Sequence, residues 1–356
     1  MLHSLHIRQF RCLQEVKLEL PPARPVAFLG ANAQGKTSIL EAVCVLLRLQ
    51  SPRSRRLGDC IRLGQAAASV EGQTEKHRLV VGLAPKSRRL RVDGQVHTRG
   101  ADYLAESGLV VWMGNDDRDL IRGGAENRRR YLDFLASQVE PGYREALRAY
   151  ERALRARNFL LKRDAQPRWD QIDAYGQVLA EHGRILTRTR SQLIDALTPH
   201  AQAAQQHLSA AQEALALRYE NASGEDLASS FELVRDQEAK KRSTLVGPHR
   251  DDLTLGLNGL PAAEFASEGQ QRSLAIALKL AQATLLKERH QTSPILLIDD
   301  VFGELDPERR NALLEHLPPD SQKLITSTTI DWMDDTRNEN LVRYRLDSGS
   351  ICPATK

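Results

Sequence analysis

Val26-Ala27-Phe28-Leu29-Gly30-Ala31-Asn32-Ala33-Gln34-Gly35-Lys36-Thr37 is the stretch on which the reading of this chain turns. The first four residues are an apolar run with the look of a buried strand, and Thr37 to Leu49 has helical spacing. Between them, Gly30 to Thr37 matches G-x-x-x-x-G-K-[ST]. Gly30 and Gly35 let the backbone wrap so that successive amides face a chain of phosphates. The helix behind adds its positive end. Lys36 supplies a point charge for the β- and γ-phosphates, and the Thr37 hydroxyl is a Mg²⁺ ligand. Gly30, Ala31, Asn32, Ala33, Gln34, Gly35, Lys36, Thr37 and Ser38 are therefore the candidate nucleotide contacts. A Gly-rich turn with no ligand is the plainer alternative; the strand before it and the helix after it argue against that.

A second acidic strand lies downstream. Ile295-Leu296-Leu297-Ile298 ends in Asp299-Asp300. Such an aspartate often only caps a turn. With a phosphate loop upstream, Asp299 is expected to hold Mg²⁺ through water at the carboxyl edge of the sheet. Asp300 is expected to polarise the attacking water. Neighbouring strand residues point to opposite faces, so both can serve one site only if the strand ends there, and Gly303 is expected to permit the turn. Ala266 to Arg272 opens another helix. Ser267 reads as its N-cap, with Gln270 completing a capping box. Ser267, the Gly269 amide and the helix N-terminus also make an anion site.

Outward from these motifs, the first twenty residues alternate like strands. Short apolar runs between Val70 and Val96, with Asp93-Gly94 as a hairpin turn, read as a β-meander. Glu126 to about Ala216 is nearly all helix-forming. Pro141-Gly142, Gln166-Pro167 and Thr198-Pro199 divide it into roughly four helices. α/β character returns after Lys240-Lys241-Arg242. The expected architecture is an α/β domain built from both ends of the chain, residues 1–117 and 240–356, interrupted by a helical insertion at 118–239.

The 356 residues are 41% hydrophobic and 27% charged, which argues against wholesale disorder. Only 5% are aromatic, so a base-stacking platform is not expected to dominate any nucleic-acid contact. The net charge of +4 is a weak basic bias. It is uneven: residues 118–190 hold 16 Lys/Arg against 10 Asp/Glu, whereas residues 191–239 hold 2 against 8. The four cysteines lie far apart without CxxC spacing, which disfavours a zinc knuckle or redox pair. No run approaches the ~18 apolar residues of a bilayer span. A cytoplasmic protein with no membrane partner is expected.

The order of phosphate loop, helical insertion, Ser-x-Gly-Gln helix and acidic strand followed by Glu304-Leu305-Asp306 resembles an ABC-type ATPase head. Within that class the chain is similar to the RecF family of bacterial recombinational-repair ATPases, which are related to SMC heads. The resemblance runs along the chain: Phe10-Arg11, Gly30 to Ala42 including Leu40-Glu41-Ala42, Asp59 to Gly64, Asn127 to Asp133, Tyr150 to Lys162, Gly247 to Leu253 (GPHRDDL) and Ser267 to Gln282. It implies an ABC-ATPase, SMC-head-like fold with an inserted helical lobe. It also implies that two heads dimerise face to face, each Ser267 contacting the γ-phosphate held by the partner's loop. ATP with Mg²⁺ then drives a homodimer on double-stranded DNA, and slow, DNA-stimulated hydrolysis releases it. With RecO and RecR, such proteins help load recombinase at gaps and single-/double-strand junctions, supporting replication and the SOS response.

Several positions depart from the wider ABC pattern. Asp300 stands where many such proteins have Glu, and its shorter reach implies slow turnover. Glu268 sits within the signature with no role assigned. Val111 to Leu120 lacks the expected glutamine; Asn115, Asp116 or Asp117 is the candidate to take its place. Ser327-Thr328-Thr329 replaces the usual switch histidine. Arg11 is expected either to reach the nucleotide or to be a half-exposed strand residue. Arg53, Arg55, Arg56 and Arg62 are candidates for DNA contact or nucleotide sensing, with a solvated face as the alternative. Arg128, Arg129 and Arg130 are the candidate DNA surface, with pairing inside the helical lobe as the rival. A transporter's nucleotide-binding subunit is disfavoured by the insertion and the missing histidine. A long coiled-coil chromosome organiser is disfavoured by the insertion's length, and a nuclease by the lack of room for another carboxylate cluster.

Overall fold

Every residue of the Lys36–Arg48 helix except Thr37 is buried. A helix that is apolar all round must be covered all round, and this one packs against strands of two sheets. The computed structural model describes residues 1–164, 166–209, 213–224, 226–330, 340–347 and 349–353. One covering sheet is antiparallel, in the order Leu13–Glu19, Leu2–Phe10, Ala68–Thr74, Arg78–Ala84, Ser87–Val92, Gln95–His97. Its meander is closed at one end by Asp93 and Gly94, whose φ values of 50° and 84° make the tight hairpin turn. Leu5, Ile7, Val70, Leu79, Val81 and Leu90 fill its inner face.

The other sheet runs Ser350–Pro353, Val342–Asp347, Val26–Leu29, Lys323–Ser327, Ile295–Asp299, Val110–Gly114. Its last five strands are mutually parallel. Leu29, Ser327, Asp299 and Gly114 therefore end at one carboxyl edge, where such sheets bind ligands. The Gln322 side chain joins the sheets, accepting from the Leu2 amide at 2.8 Å and donating to the Leu2 carbonyl at 2.7 Å.

Two compact units divide the chain, Met1–Asp117 with Leu286–Lys356, and Arg118–Leu285. The first boundary matches the expectation from sequence. The second does not: residues 240–285 lie with the helices. The reason is pairing. Asp252–Leu257 is zipped antiparallel to Leu215–Glu220, and the Tyr131 hydroxyl donates to the Leu278 carbonyl.

The same ladder corrects the expected run of helix to Ala216. Along that stretch the helices are Ala125–Val139, Tyr143–Arg163 and Trp169–Leu208, after which Leu215–Glu220 is a strand. Its residues are good helix formers, and a partner some forty residues away overrides that propensity. Pro199 does not break the third helix, which runs 40 residues through it. The Thr198 hydroxyl donates to the Ile194 carbonyl at 2.7 Å beside the turn that the proline interrupts. Three long helices therefore stand where four were expected.

Candidate functional site

The phosphate loop begins with backbone conformations that side chains rarely adopt. Gly30 has φ 154° and Gly35 φ 101°. A Cβ on Gly35 would lie 2.8 Å from Leu13 Cδ2 and 2.9 Å from Cys12 Sγ. Gly35 caps the Lys36–Arg48 helix without a side-chain hydrogen bond, and the helix has no acid in its first turn. Its amino end is thus left for an external anion. Lys36 curls back on the loop, donating to the Gly30 carbonyl at 2.7 Å and the Ala31 carbonyl at 2.9 Å. Burial pulls its ammonium below the ordinary lysine range, and the Asp300 and Asp299 carboxylates pull it back. Ser38 is buried behind the loop, 3.8 Å from Cys12 Sγ.

The acidic strand meets this loop across the sheet. Asp299 Oδ1 accepts from the Thr37 hydroxyl at 2.8 Å and from the Thr326 hydroxyl at 2.7 Å. Burial raises the Asp299 carboxyl above the usual range, the two hydroxyls oppose that, and Asp300 adds to it. A cation beside Thr37 and Asp299 would favour the ionised form. Asp300 takes a left-handed backbone, φ 56°. Its amide donates to the Thr326 hydroxyl at 3.0 Å and to the Thr326 carbonyl at 3.2 Å. Asp300 itself, rather than Gly303, makes the turn; Gly303 has no positive φ and lies in a short 3₁₀ turn. A cavity of about 550 Å³ collects Arg11, Cys12, Asn32 to Ser38, Arg53, Asp59, Ile61, Leu63, Asp300 and Thr326. An uncapped helix end, one lysine, one hydroxyl and two carboxylates form a donor set that fits a nucleoside triphosphate with a divalent cation.

Arg11 lines this cavity, half-buried and just past the strand in which the sequence set it. It occupies the turn after the Leu2–Phe10 strand with φ 54°. Its guanidinium grips Glu41 through Nε at 2.9 Å and Nη2 at 2.6 Å, and also reaches the Asp59 carbonyl and the Ser54 hydroxyl. Glu41 is fully buried and accepts from Ser51 at 2.6 Å, with Arg53 at 3.6 Å. Thr326 and Glu41 are the residues that sequence reasoning missed here. A buried carboxylate within the helix after a phosphate loop was visible in Leu40-Glu41-Ala42; Thr326 carried no local signal. Asn115 donates to Glu304 at 3.0 Å, and the Asp117 carboxylate accepts from the Gly114 amide at 2.8 Å. Both lie beyond the strand that pairs Gly114 with Asp299. Arg55 and Arg56 are exposed, and Arg62 is half-buried near Gln9.

Ser267 belongs to the other unit. The capping box is formed: the Ser267 amide donates to Gln270 Oε1 at 2.8 Å, and the Gln270 amide to Ser267 Oγ at 3.3 Å. Gln270 Nε2 also donates to Glu213 at 2.9 Å. Ser267 and Glu268 are exposed and Gly269 is half-buried.

GPHRDDL is a structural knot of this unit. The Tyr150 hydroxyl and His249 Nδ1 are 2.7 Å apart, and burial pushes His249 down to about 4, so the ring is neutral at neutral pH. Arg190 donates to the Pro248 carbonyl at 2.7 Å. Arg250 is exposed and donates to the Thr244 carbonyl at 3.3 Å. Arg128 grips Asp252 with two bonds of 2.7 Å, and Arg129 donates to the Asp251 carbonyl at 2.7 Å. Arg130 is exposed. The first two arginines of the candidate DNA surface thus bind inside the unit. Arg128→Glu is expected to cost on the order of 3 kcal/mol, because it breaks a largely buried bidentate pair and sets two carboxylates together. Urea unfolding checks this; unchanged stability would return Arg128 to the DNA surface.

The AAA domain family matches residues 4–245. The chain is 38% identical over 353 residues to the DNA replication and repair protein RecF of Synechococcus sp., covering 94% of this chain and 92% of that protein. It is 39% identical over 344 residues to the RecF of Thermosynechococcus vestitus, covering 92% and 90%. Its structure is similar to that of the recombination mediator protein RecF with ATP in the RecFOR pathway, with a TM-score of 0.88 and 26% identity over 99% of this chain and 97% of that one. An SMC head bound to the C-winged helix domain of ScpA shares the fold, with a TM-score of 0.55 and 16% identity over 99% and 96%.

Proposed function

This chain belongs to the RecF family of DNA replication and repair proteins, and from that membership we propose that it is an ATP-gated clamp on double-stranded DNA. ATP closes two copies head to head on the duplex, and slow hydrolysis releases them. Together with RecO and RecR the clamp assists recombinase loading at gaps and single-/double-strand junctions, in support of replication and the SOS response. The observation that carries this reading is the hydrogen-bonded row Thr37–Asp299–Thr326 facing Lys36 and the uncapped helix end.

Lys36 leaves the Gly30 and Ala31 carbonyls to neutralise the β- and γ-phosphates, while the loop amides from Gly30 to Thr37 hold the phosphate chain. Thr37 and Asp299 are the residues that would hold Mg²⁺, which when bound neutralises charge on the phosphates. Asp300, turned toward the cavity by its left-handed backbone, orients the attacking water. Glu41 keeps Arg11 at the cavity wall. Among the described residues no helix is long and apolar enough to cross a membrane.

Ser267 tests the shared site. In the proposed dimer it reads the γ-phosphate held by the partner's loop; the rival reading makes it a helix cap alone. Ser267→Arg as a lost cap costs about 1 kcal/mol and leaves ATP-driven dimers intact. As a block to closure it leaves ATP binding by each monomer but abolishes dimers and hydrolysis. Light scattering with and without ATP, beside a melting curve, separates the two. ATP-dependent dimers of the variant at native stability overturn the shared site.

A further inference from the structure

The outer face of the antiparallel sheet is divided in its charge. Toward the Leu13–Glu19 strand its ions are paired among themselves: Glu15 takes His6 at 2.8 Å, Arg8 at 3.4 Å and Lys17 at 3.9 Å. Arg78 is held by Glu71 at 2.6 Å. Toward the Ser87–Val92 strand the pattern changes. Leu90 and Val92 are buried, so Arg89 and Arg91 share the outer face, and both are exposed. Arg89 stands opposite Gly82, and Arg91 stands between Val80 and Val96. None of these neighbours can accept a proton or a hydrogen bond through its side chain. Among the described residues no carboxylate pairs with either guanidinium, whereas every other arginine on this face has one.

Residues 76–99 as a whole hold seven Lys/Arg against one Asp. That aspartate, Asp93, is occupied by His77 at 2.7 Å and by the Arg78 amide at 2.8 Å. Gly82, with no side chain, and Val80 leave a low floor beside the two arginines. Val96 is 61% exposed on the neighbouring strand. Two residues along a strand span about 6.8 Å, a separation that lets two long guanidinium side chains reach neighbouring phosphates of one backbone. No aromatic residue lies among these outer-face positions, which removes base stacking and leaves charge as the means of recognition.

We propose that Arg89 and Arg91, over the floor of Val80 and Gly82, form a phosphate-binding surface for duplex DNA. The proposal rests on the DNA-binding reading above and gives it a surface in place of the internally bound Arg128 and Arg129. Contact there is with the backbone, so it strengthens binding to all sequences alike.

The test is duplex affinity by fluorescence anisotropy with ATP and Mg²⁺ across a salt series. Each lost phosphate contact removes about 0.9 from the slope of log affinity against log salt. Arg89→Gln with Arg91→Gln is therefore expected to lower the slope by roughly 1.8 and the affinity at ~0.1 M salt by at least tenfold. ATP affinity and ATP-driven dimerisation should be unchanged, since neither residue touches the nucleotide cavity. Arg89→Lys with Arg91→Lys keeps both charges and should keep the slope. An unchanged slope in the glutamine variant, with the unaltered protein binding duplex, overturns this surface and leaves DNA binding standing. Equal loss in the lysine variant also overturns it. Failure of the unaltered protein to bind duplex overturns the DNA reading and this surface with it.

Discussion

Lys36→Met is expected to abolish useful ATP binding while leaving the fold intact. Charge-assisted hydrogen bonds are worth about 1.5–3 kcal/mol each. Loss of the one loop cation that faces both phosphates therefore weakens binding by roughly 10²–10⁴-fold. Stability without nucleotide should barely change. Lys36 is held by loop carbonyls at the cavity, and burial already disfavours its charge, so an apolar chain of similar length strands no buried ion. The stabilisation that ATP confers should vanish: a ligand at about 100 times its Kd adds about 2.7 kcal/mol. Calorimetric titration and a thermal shift with ATP check both halves. Normal affinity would remove Lys36 from the site; a collapsed melting temperature without ATP would assign it to the fold.

Asp300→Asn is expected to leave ATP binding near normal and slow hydrolysis by at least ~10²-fold, the lower end of what a positioned base contributes. The substitution keeps size and the left-handed backbone, which asparagine tolerates well. It keeps the amide bonds to Thr326 and deletes only the carboxylate. ATP-bound dimers should then persist longer on DNA, because closure needs ATP and release needs its hydrolysis. Asp299→Asn should behave differently. It changes the acceptor of two hydroxyl bonds, and should raise the Mg²⁺ requirement for binding. Single-turnover hydrolysis and a Mg²⁺ titration separate the two. Unchanged turnover in Asp300→Asn would mean that another group orients the water.

The parts legible in sequence share one property: the residues that carry the chemistry are contiguous. Strand, Gly30–Gly35 turn and Lys36-Thr37 helix start are a single local unit whose backbone needs are written in its own glycines. The capping box is likewise a four-residue event, and Ser267 and Gln270 exchange the bonds their spacing predicts. The alternation of buried and exposed residues similarly declares the meander and its Asp93-Gly94 turn. Even Asp299 was readable, because an apolar strand ending in a carboxylate has few other uses beside a phosphate loop.

What only the tertiary structure decided are partnerships between distant residues. Thr326 bridges the two aspartates because parallel register sets it opposite Asp299; nothing in Leu324-Ile325-Thr326-Ser327 announces that. Glu41 fastens Arg11 thirty positions away, so an arginine that looked like a strand residue or a sensor becomes part of the cavity wall. Asp252 claims Arg128 across 124 positions, and its strand turns Leu215–Glu220 from the helix that its composition favours. Arg89 and Arg91 are left over because the sheet's register places Gly82 and Val80 opposite them. Propensity and motif act within a few residues, where no loop must close. Pairing across long separations is selected by register, burial and the cost of leaving a buried polar group alone, and those terms exist only once the chain has folded back on itself.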